Sequence, residues 1–234
     1  MFSRIVLRRG TTRDGESPFW ISYSDLMTAL TALFLMVMAI TLISVTRDVL
    51  PAEQIQREQD ITAVMANIKE LSRKFPEVKV NESTYRIDLG EVVRFESGSA
   101  EISAAGARLL RSYVPVLLEA QRKKLGQRWI RRIVVEGFTD TDGAYLLNLG
   151  LSLMRSKGVV CVLFAAPSEG ERPLTNEEKR QIRDLFLVGG YSFNSMKTSK
   201  EESRRVELKI DFWALDEEPT PPPPELDGKD FGRC

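Results

Sequence analysis

Hydrophobic and polar positions divide the chain into stretches of different period. From Trp20 to Val45 the chain is almost wholly apolar and shows no period at all. About 20 residues suffice to span the hydrocarbon core as a helix, so this run predicts a single transmembrane helix. A cleaved signal peptide is the competing reading, but its apolar centre is about 7–15 residues long. Nor does "SVTRDVLPAE" offer a small-x-small cleavage site, so the run reads as an uncleaved anchor. After it, "PAEQIQREQDITAVMANIKELSRKF" predicts a helix, with Pro51 suited to a first turn and Ile61, Val64, Ile68, Leu71 and Phe75 at spacings of three and four. Such a seam serves either a coiled coil with a second copy or an amphipathic helix lying on the following domain. Two heptads do not decide between them.

From about residue 78 the pattern becomes mixed. "STYRIDLGEVVRFESGSAEIS" predicts an alternating strand with Tyr85, Ile87 and Leu89 on one face, a short segment ending at Phe95 and a turn at Gly98. A helix follows over about 103–119, then a strand in "RRIVVEGF" with Ile133 and Val135 on one face, then a helix in "GAYLLNLGLSLMRSKGVVCVLFAA". "TNEEKRQIRDLFLVGG" carries its own helix signals, a capping box of Thr175 with Glu178 and Gly189 or Gly190 as the stop. In the last strand Val206, Leu208 and Ile210 alternate with Glu207, Lys209 and Asp211. Strands interleaved with helices predict one α/β sandwich, helices packed on one sheet. The fold class is therefore α+β, an anchor and helical linker followed by that sandwich.

Composition removes several chemistries. The chain has 234 residues with 33 basic and 33 acidic side chains, so no global attraction to nucleic acid is expected. There is no His, which excludes a Ser-His-Asp triad and His metal ligands, and Cys161 and Cys234 alone cannot build a Cys-rich zinc site. No cofactor or metal is implied. The charge is unevenly placed, with Arg4, Arg8, Arg9 and Arg13 before the anchor and an acidic tail holding "PTPPPPELD" at the other end. By the positive-inside rule the amino terminus is cytoplasmic and residues after about 47 lie outside, with Phe19, Trp20 and Tyr23 at the cytoplasmic interface. Both cysteines then meet an oxidising compartment. A disulfide within or between chains is open to them, as is a small buried role for Cys161.

Asp25 is the single charge inside the apolar run. It sits roughly 7–8 Å deeper than Trp20, where an acid costs up to about 2.5–3.5 kcal/mol. Ser22, Thr28, Ala29, Ala32 and Ala39 share its stripe, whereas Leu26, Leu30, Leu33 and Val37 lie elsewhere. Small residues on one face mark a helix contact, so Asp25 is expected to point into a bundle. An intramembrane acid on such a face is an ion-pathway candidate, the plainer alternative being a structural hydrogen bond near a helix end.

In "VVEGFTDTDGAYLLNLGLSLMRSKGVV" the residues Gly137, Thr139, Asp140, Gly143, Asn148, Leu151, Ser152 and Arg155 fall in register with a known signature. The stretch resembles the peptidoglycan-binding module of the OmpA/MotB family, and "SRRVEL" at 203–208, with Arg204, resembles the element that closes it. The resemblance implies that Asp140 holds the ammonium of a diaminopimelate side chain and Arg155 clamps its carboxylate. It also places Thr139, Asn148, Leu151 and Arg204 at the peptidoglycan site, Asn148 chiefly as a brace for the loop. A zwitterionic headgroup needs one anion and one fork-shaped cation presented together, which this pair supplies. Phe138, Leu147 and Ser156 depart from the family's usual His, Tyr and Ala. Asp140 with Asp142 is better read as this loop than as a catalytic carboxylate pair, so no enzyme is expected.

"WISYSDLMTALTALFLMV" is similar to the membrane segment of the B subunits of proton- and sodium-driven motor stators, in which the aspartate accepts the ion. The resemblance implies a homodimer inside a pentameric ring of a multi-span A-type channel subunit, MotA-like or ZorA-like, in a bacterial inner membrane. Asp25 would carry protons or sodium ions while the periplasmic domain grips peptidoglycan. The dimer would continue through Ile61, Val64, Ile68 and Leu71. The short link between anchor and wall domain and a long insertion at 167–200 favour the Zorya anti-phage defence branch over flagellar MotB, while a passive OmpA-like tether would need only the anchor and Asp140 with Arg155, not Asp25. The expected organisation is a basic terminus at 1–17, the transmembrane helix at 18–46, a periplasmic helical linker at 47–77, an OmpA-like domain at 78–213 and a Pro-rich acidic tail at 214–234.

Overall fold

A computed structural model of the chain describes residues 19–217, 231, 232 and 234, with side-chain detail excluding 19–22 and 45–51. The basic terminus, the side chains of Phe19, Trp20 and Ser22, and most of the proline-rich tail lie outside the described residues.

The chain divides into two units between Glu53 and Gln54. The first contains the leading part of helix α1 (Phe19–Ser72). Within it Tyr23–Ser44 is a stretch of 22 residues and mean hydropathy 2.4, long and apolar enough to cross a membrane. Every residue of that stretch is exposed. Thr28 donates its hydroxyl to the Asp25 carbonyl at 2.9 Å, and Thr31 and Thr41 bond back to helix carbonyls in the same way. These polar groups are thus satisfied inside the helix, as an apolar surrounding requires.

The second unit is built on a five-stranded sheet. Its order is β1 (Lys79–Asn81), β2 (Arg86–Asp88), β5 (Val206–Phe212), β3 (Ile130–Gly137) and β4 (Phe186–Gly190). Only β3 and β4 run parallel. Ile87, Ile133, Val135, Leu208 and Ile210 are buried in one core with Leu110, Val114 and Leu118 of α2 (Ala104–Arg122) and Val159 and Leu163 of α4 (Tyr145–Phe164). Ser103 caps α2 by accepting the Gly106 amide. Short α3 (Lys124–Trp129) leads from α2 into β3. Helix α4 lies so near β3 that a Cβ on Gly137 would fall 2.0 Å from the Ser152 carbonyl oxygen, so only glycine fits there.

The seam of α1 faces inward. Ile61, Val64, Met65 and Ile68 are buried, Val64 at 4% and Ile68 at 1% exposure, and Val64, Met65 and Ile68 belong to the same core as the sheet. Asp60 accepts the Trp129 indole N–H at 2.8 Å, and the Ser72 and Tyr113 hydroxyls bond at 2.8 Å. This corrects the expectation of a dimer running through Ile61, Val64, Ile68 and Leu71, because the domain's own core already covers the seam. The second compact unit begins at Gln54.

One further expectation changes, and the cysteine pairing that the sequence left open is decided. The capping box of Thr175 and Glu178 forms as read, on α5 (Asn176–Leu185), but the helix stops at Leu185 rather than at Gly189 or Gly190. "FLVGG" becomes β4, since Phe186 to Gly190 pair with Ile133 to Gly137 and tertiary pairing overrides the local helix signal. The segment 167–200, read as an insertion, contributes one strand, Phe186–Gly190, to the sheet. Glu207, which alternates with the apolar residues of β5, is 4% exposed and accepts a bond from Arg205 Nε at 2.7 Å. Finally, Cys161 and Cys234 are joined within the chain, with Cα atoms 5.8 Å apart, and Phe231 packs on Phe164 beside them.

Candidate functional site

The site grows from the loop between β3 and α4. Phe138 donates its amide to the Arg205 carbonyl at 3.0 Å and Thr139 to the Ser192 carbonyl at 2.9 Å, which pins the loop where the strand ends. Gly143 takes a φ of 96°, a left-handed conformation suited to glycine. Asn148, one turn into α4, reaches back to the Asp142 carbonyl at 2.8 Å. It therefore acts as the loop's brace.

Asp140 is buried within this loop, with one carboxylate oxygen accepting the Asp142 amide at 3.2 Å. Its other oxygen accepts Arg204 Nη1 at 3.0 Å. Arg204 follows the one-turn helix α6 (Lys200–Ser203) and also bonds the Phe95 carbonyl at 3.0 Å and Glu201 at 3.2 Å. The bond to Asp140 raises the Arg204 pKa above its ordinary value. Lys200 pairs with Asp142 at 2.6 Å on the exposed side of the loop, and that bond raises the Lys200 pKa.

Arg155 is placed behind the loop and has no exposed surface. Its Nε donates to the Ser99 carbonyl at 2.9 Å, Nη1 to the Phe138 carbonyl at 2.8 Å and Nη2 to the Glu96 carbonyl at 3.1 Å. The guanidinium also lies 4.9 Å from the Phe95 ring centre, a cation–π distance. Burial lowers its pKa to about 10 despite the attraction of Asp140, and Arg204 pushes in the same direction as burial. The group thus ties the 96–99 turn and the Phe138 carbonyl to α4 and sets a positive charge beneath Asp140. Thr139 Oγ1 is buried beside it without a hydrogen-bond partner.

Of the residues expected here, Asp140, Arg204, Thr139, Asn148 and Arg155 surround the one loop, while Leu151 is half-buried on α4. Sequence reasoning missed Lys200, whose signal was the charged run "SKEESRR". Chemically, the arrangement is a carboxylate gripped by one reachable guanidinium and backed by a second, enclosed one. It suits a ligand that carries both an ammonium and a carboxylate.

No family model matches the chain. The Zorya protein ZorB of Escherichia coli O139:H28 (strain E24377A / ETEC) is 44% identical over 212 residues, covering 89% of this chain and 86% of that protein. The chain belongs to the ZorB family. The probable lipoprotein YiaD of Escherichia coli K12 is 29% identical to this ZorB-family chain over 118 residues, 50% of this chain and 47% of that protein. Among solved structures, the periplasmic domain of Helicobacter pylori MotB is 18% identical, with 59% of this chain and 88% of that one covered at a TM-score of 0.39. A MotB-like protein from Desulfovibrio vulgaris is 16% identical, with 69% and 96% covered at a TM-score of 0.38.

Proposed function

We infer that this ZorB-family chain is the wall-anchored, ion-carrying subunit of an inner-membrane rotary motor of the Zorya anti-phage type. The observation that carries the reading is Asp25, the one acid in a 22-residue exposed span of mean hydropathy 2.4, ahead of a domain that presents Asp140 and Arg204. An acid on a span that buries nothing within its own chain acquires its surroundings from other subunits. In this reading two copies place their Asp25 side chains inside a ring of five multi-span A-type subunits, with amino termini in the cytoplasm and the sheet domains in the periplasm. The intrachain disulfide fits that oxidising side. One charge crossing 100 mV releases about 2.3 kcal/mol, and protons or sodium ions passing through Asp25 turn the ring about the anchored pair.

At the wall, an ammonium arriving at Asp140 displaces Arg204 Nη1, and the freed fork of Arg204 meets the ligand's carboxylate. Arg155 keeps the loop in place and adds its charge from beneath. Removing Arg155 would strand the Glu96, Phe138 and Ser99 carbonyls, so Asp140 is the better position for a binding test.

The two acids are tested side by side in the full-length protein. Asp25→Asn is expected to abolish phage protection while the chain inserts and sediments with peptidoglycan as before. Asp140→Asn is expected to weaken sedimentation with peptidoglycan tenfold to a hundredfold, the equivalent of one charge-assisted hydrogen bond of about 1.5–3 kcal/mol. Full protection with Asp25→Asn reduces the chain to a passive tether, and unchanged sedimentation with Asp140→Asn removes the wall site from this loop.

A further inference from the structure

Arg204 and Arg205 are consecutive, and both side chains reach the loop between β3 and α4. Arg204 meets Asp140 directly. Arg205 meets Phe138, two residues earlier, with its guanidinium carbon 4.2 Å from the centre of the ring, a cation–π distance. Its Nε donates to Glu207 at 2.7 Å, and Nη1 and Nη2 both donate to the Ser195 carbonyl at 3.2 Å. Arg205 and Glu207 are each 4% exposed, so this charge pair is enclosed.

An enclosed ion pair adds little to stability beyond what a well-packed apolar pair of the same volume supplies. What a guanidinium adds is direction, since its flat face and its fork of donors fix several partners at once. Here those partners belong to the two segments that build the wall site. Ser195 lies in the stretch 191–199, whose Ser192 carbonyl accepts the Thr139 amide at 2.9 Å. Phe138 is buried, its amide donates to the Arg205 carbonyl at 3.0 Å, and its carbonyl accepts Arg155 Nη1 at 2.8 Å. Its ring also stacks on Tyr191, with centres 5.4 Å apart, and the Tyr191 amide donates to the Gly137 carbonyl at 3.0 Å. A tilt of Phe138 therefore shifts its carbonyl on Arg155 and, two residues on, the carboxylate of Asp140.

We propose that Arg205 is a positioning residue of the wall site: flat on Phe138 and forked onto Ser195, it sets where Asp140 stands between Arg204 and an arriving ammonium. The assignment rests on the reading of Asp140 and Arg204 as the wall grip. Enclosed as it is, Arg205 touches no ligand itself and acts through Phe138.

Lysine at position 205 keeps a charge beside Glu207 but has neither a flat face for the ring nor a fork for Ser195. The test therefore uses Arg205→Lys in the full-length protein, alone and combined with Asp140→Asn, and reads both sedimentation with peptidoglycan and the thermal melt of the sheet domain. Arg205→Lys alone is expected to weaken sedimentation about three- to tenfold, the scale of a lost cation–π contact, while the melt still reports a folded domain. With Asp140 already replaced it should cause no further loss, because residues that act through one contact are not additive. Phe138→Leu keeps the position apolar and removes the ring face; it should behave in the same way, and it carries the test if Arg205→Lys does not fold. Unchanged sedimentation, or the same fold loss in the Asp140→Asn background, overturns the assignment. If Asp140→Asn alone changes nothing, the wall-site reading fails and takes the role of Arg205 with it. If Asp140→Asn weakens binding while Arg205→Lys and Phe138→Leu do not, only the role of Arg205 falls.

Discussion

Between Tyr23 and Ser44 every residue of α1 is exposed, whereas between Asp60 and Ser72 of the same helix exposure follows the sequence period. Consecutive Leu33, Phe34, Leu35 and Met36 point in all directions and are 64–65% exposed alike. Farther along, Ile61, Val64, Met65 and Ile68 are buried while Thr62, Ala63, Lys69 and Glu70 stay in solvent. The two parts share a backbone geometry and differ in the medium for which their side chains are written. A helix apolar on one stripe can be satisfied by its own domain; one apolar all round needs lipid or other chains. Helix α4 combines the two cases, one side closed by the sheet and the other open.

The sharpest way to break this contrast is to cut the chain on either side of the α1 seam. A fragment starting at Gln54 keeps the four buried side chains and should unfold in one cooperative transition. A fragment starting at residue 78 loses them. Each buried aliphatic side chain contributes about 1.5–3 kcal/mol, so together they approach or exceed the whole stability of an ordinary domain, about 5–15 kcal/mol. The shorter fragment is expected to lack a cooperative melt by circular dichroism. Matching melting temperatures for the two fragments would show that α1 only decorates the domain.

The period of the α1 seam was legible in the sequence, but its partner was not. Spacings of three and four describe equally well a helix facing its copy and one facing a sheet, and only the long-range contacts with Tyr113 and Trp129 separate them. The same limit explains β4. Phe186 to Val188 suit a strand as well as a helix end, and the parallel partner that decides lies about fifty residues earlier. At the loop between β3 and α4, Asp140, Arg155 and Arg204 were readable from the motif, and Lys200 was not. The enclosure of Arg155 was not, because its three carbonyl partners come from Glu96, Ser99 and Phe138, which no local pattern links to it. The cysteine pairing likewise depends on how the tail returns to α4.

A smaller effect sharpens the contrast within single side chains. Ile68→Ala, at 1% exposure in the core, should lower the stability of the Gln54–Cys234 unit by about 2–5 kcal/mol, the cost of lost burial plus a cavity. Leu35→Ala, made in the full-length protein, removes more exposed apolar surface and should leave the melting of the sheet domain unchanged. Chemical denaturation in detergent compares the two, and a similar loss from both would mean that the domain depends on the exposed half of α1.

The smallest effect concerns the polar end of the buried seam. Asp60 accepts the Trp129 indole N–H at 2.8 Å and the Gln56 amide at 2.9 Å, and Arg128 approaches to 4.0 Å. The indole bond, then the Gln56 bond, hold its pKa below the ordinary carboxylate value against the opposing effect of burial, and Arg128 adds to the lowering. A depressed folded pKa means that the unfolded chain binds the proton first as pH falls. The contribution of Asp60 is therefore complete above the unfolded carboxylate pKa, about 3.9, and disappears as pH drops through the lower folded value. Asp60→Asn keeps the shape and removes the charge, so it should cost about 1 kcal/mol at neutral pH. Urea midpoints of the parent and the variant should differ at pH 7 and converge in strong acid. A gap that persists undiminished there would show that the indole is held by shape alone and that the charge of Asp60 plays no part in seating α1 on the sheet domain.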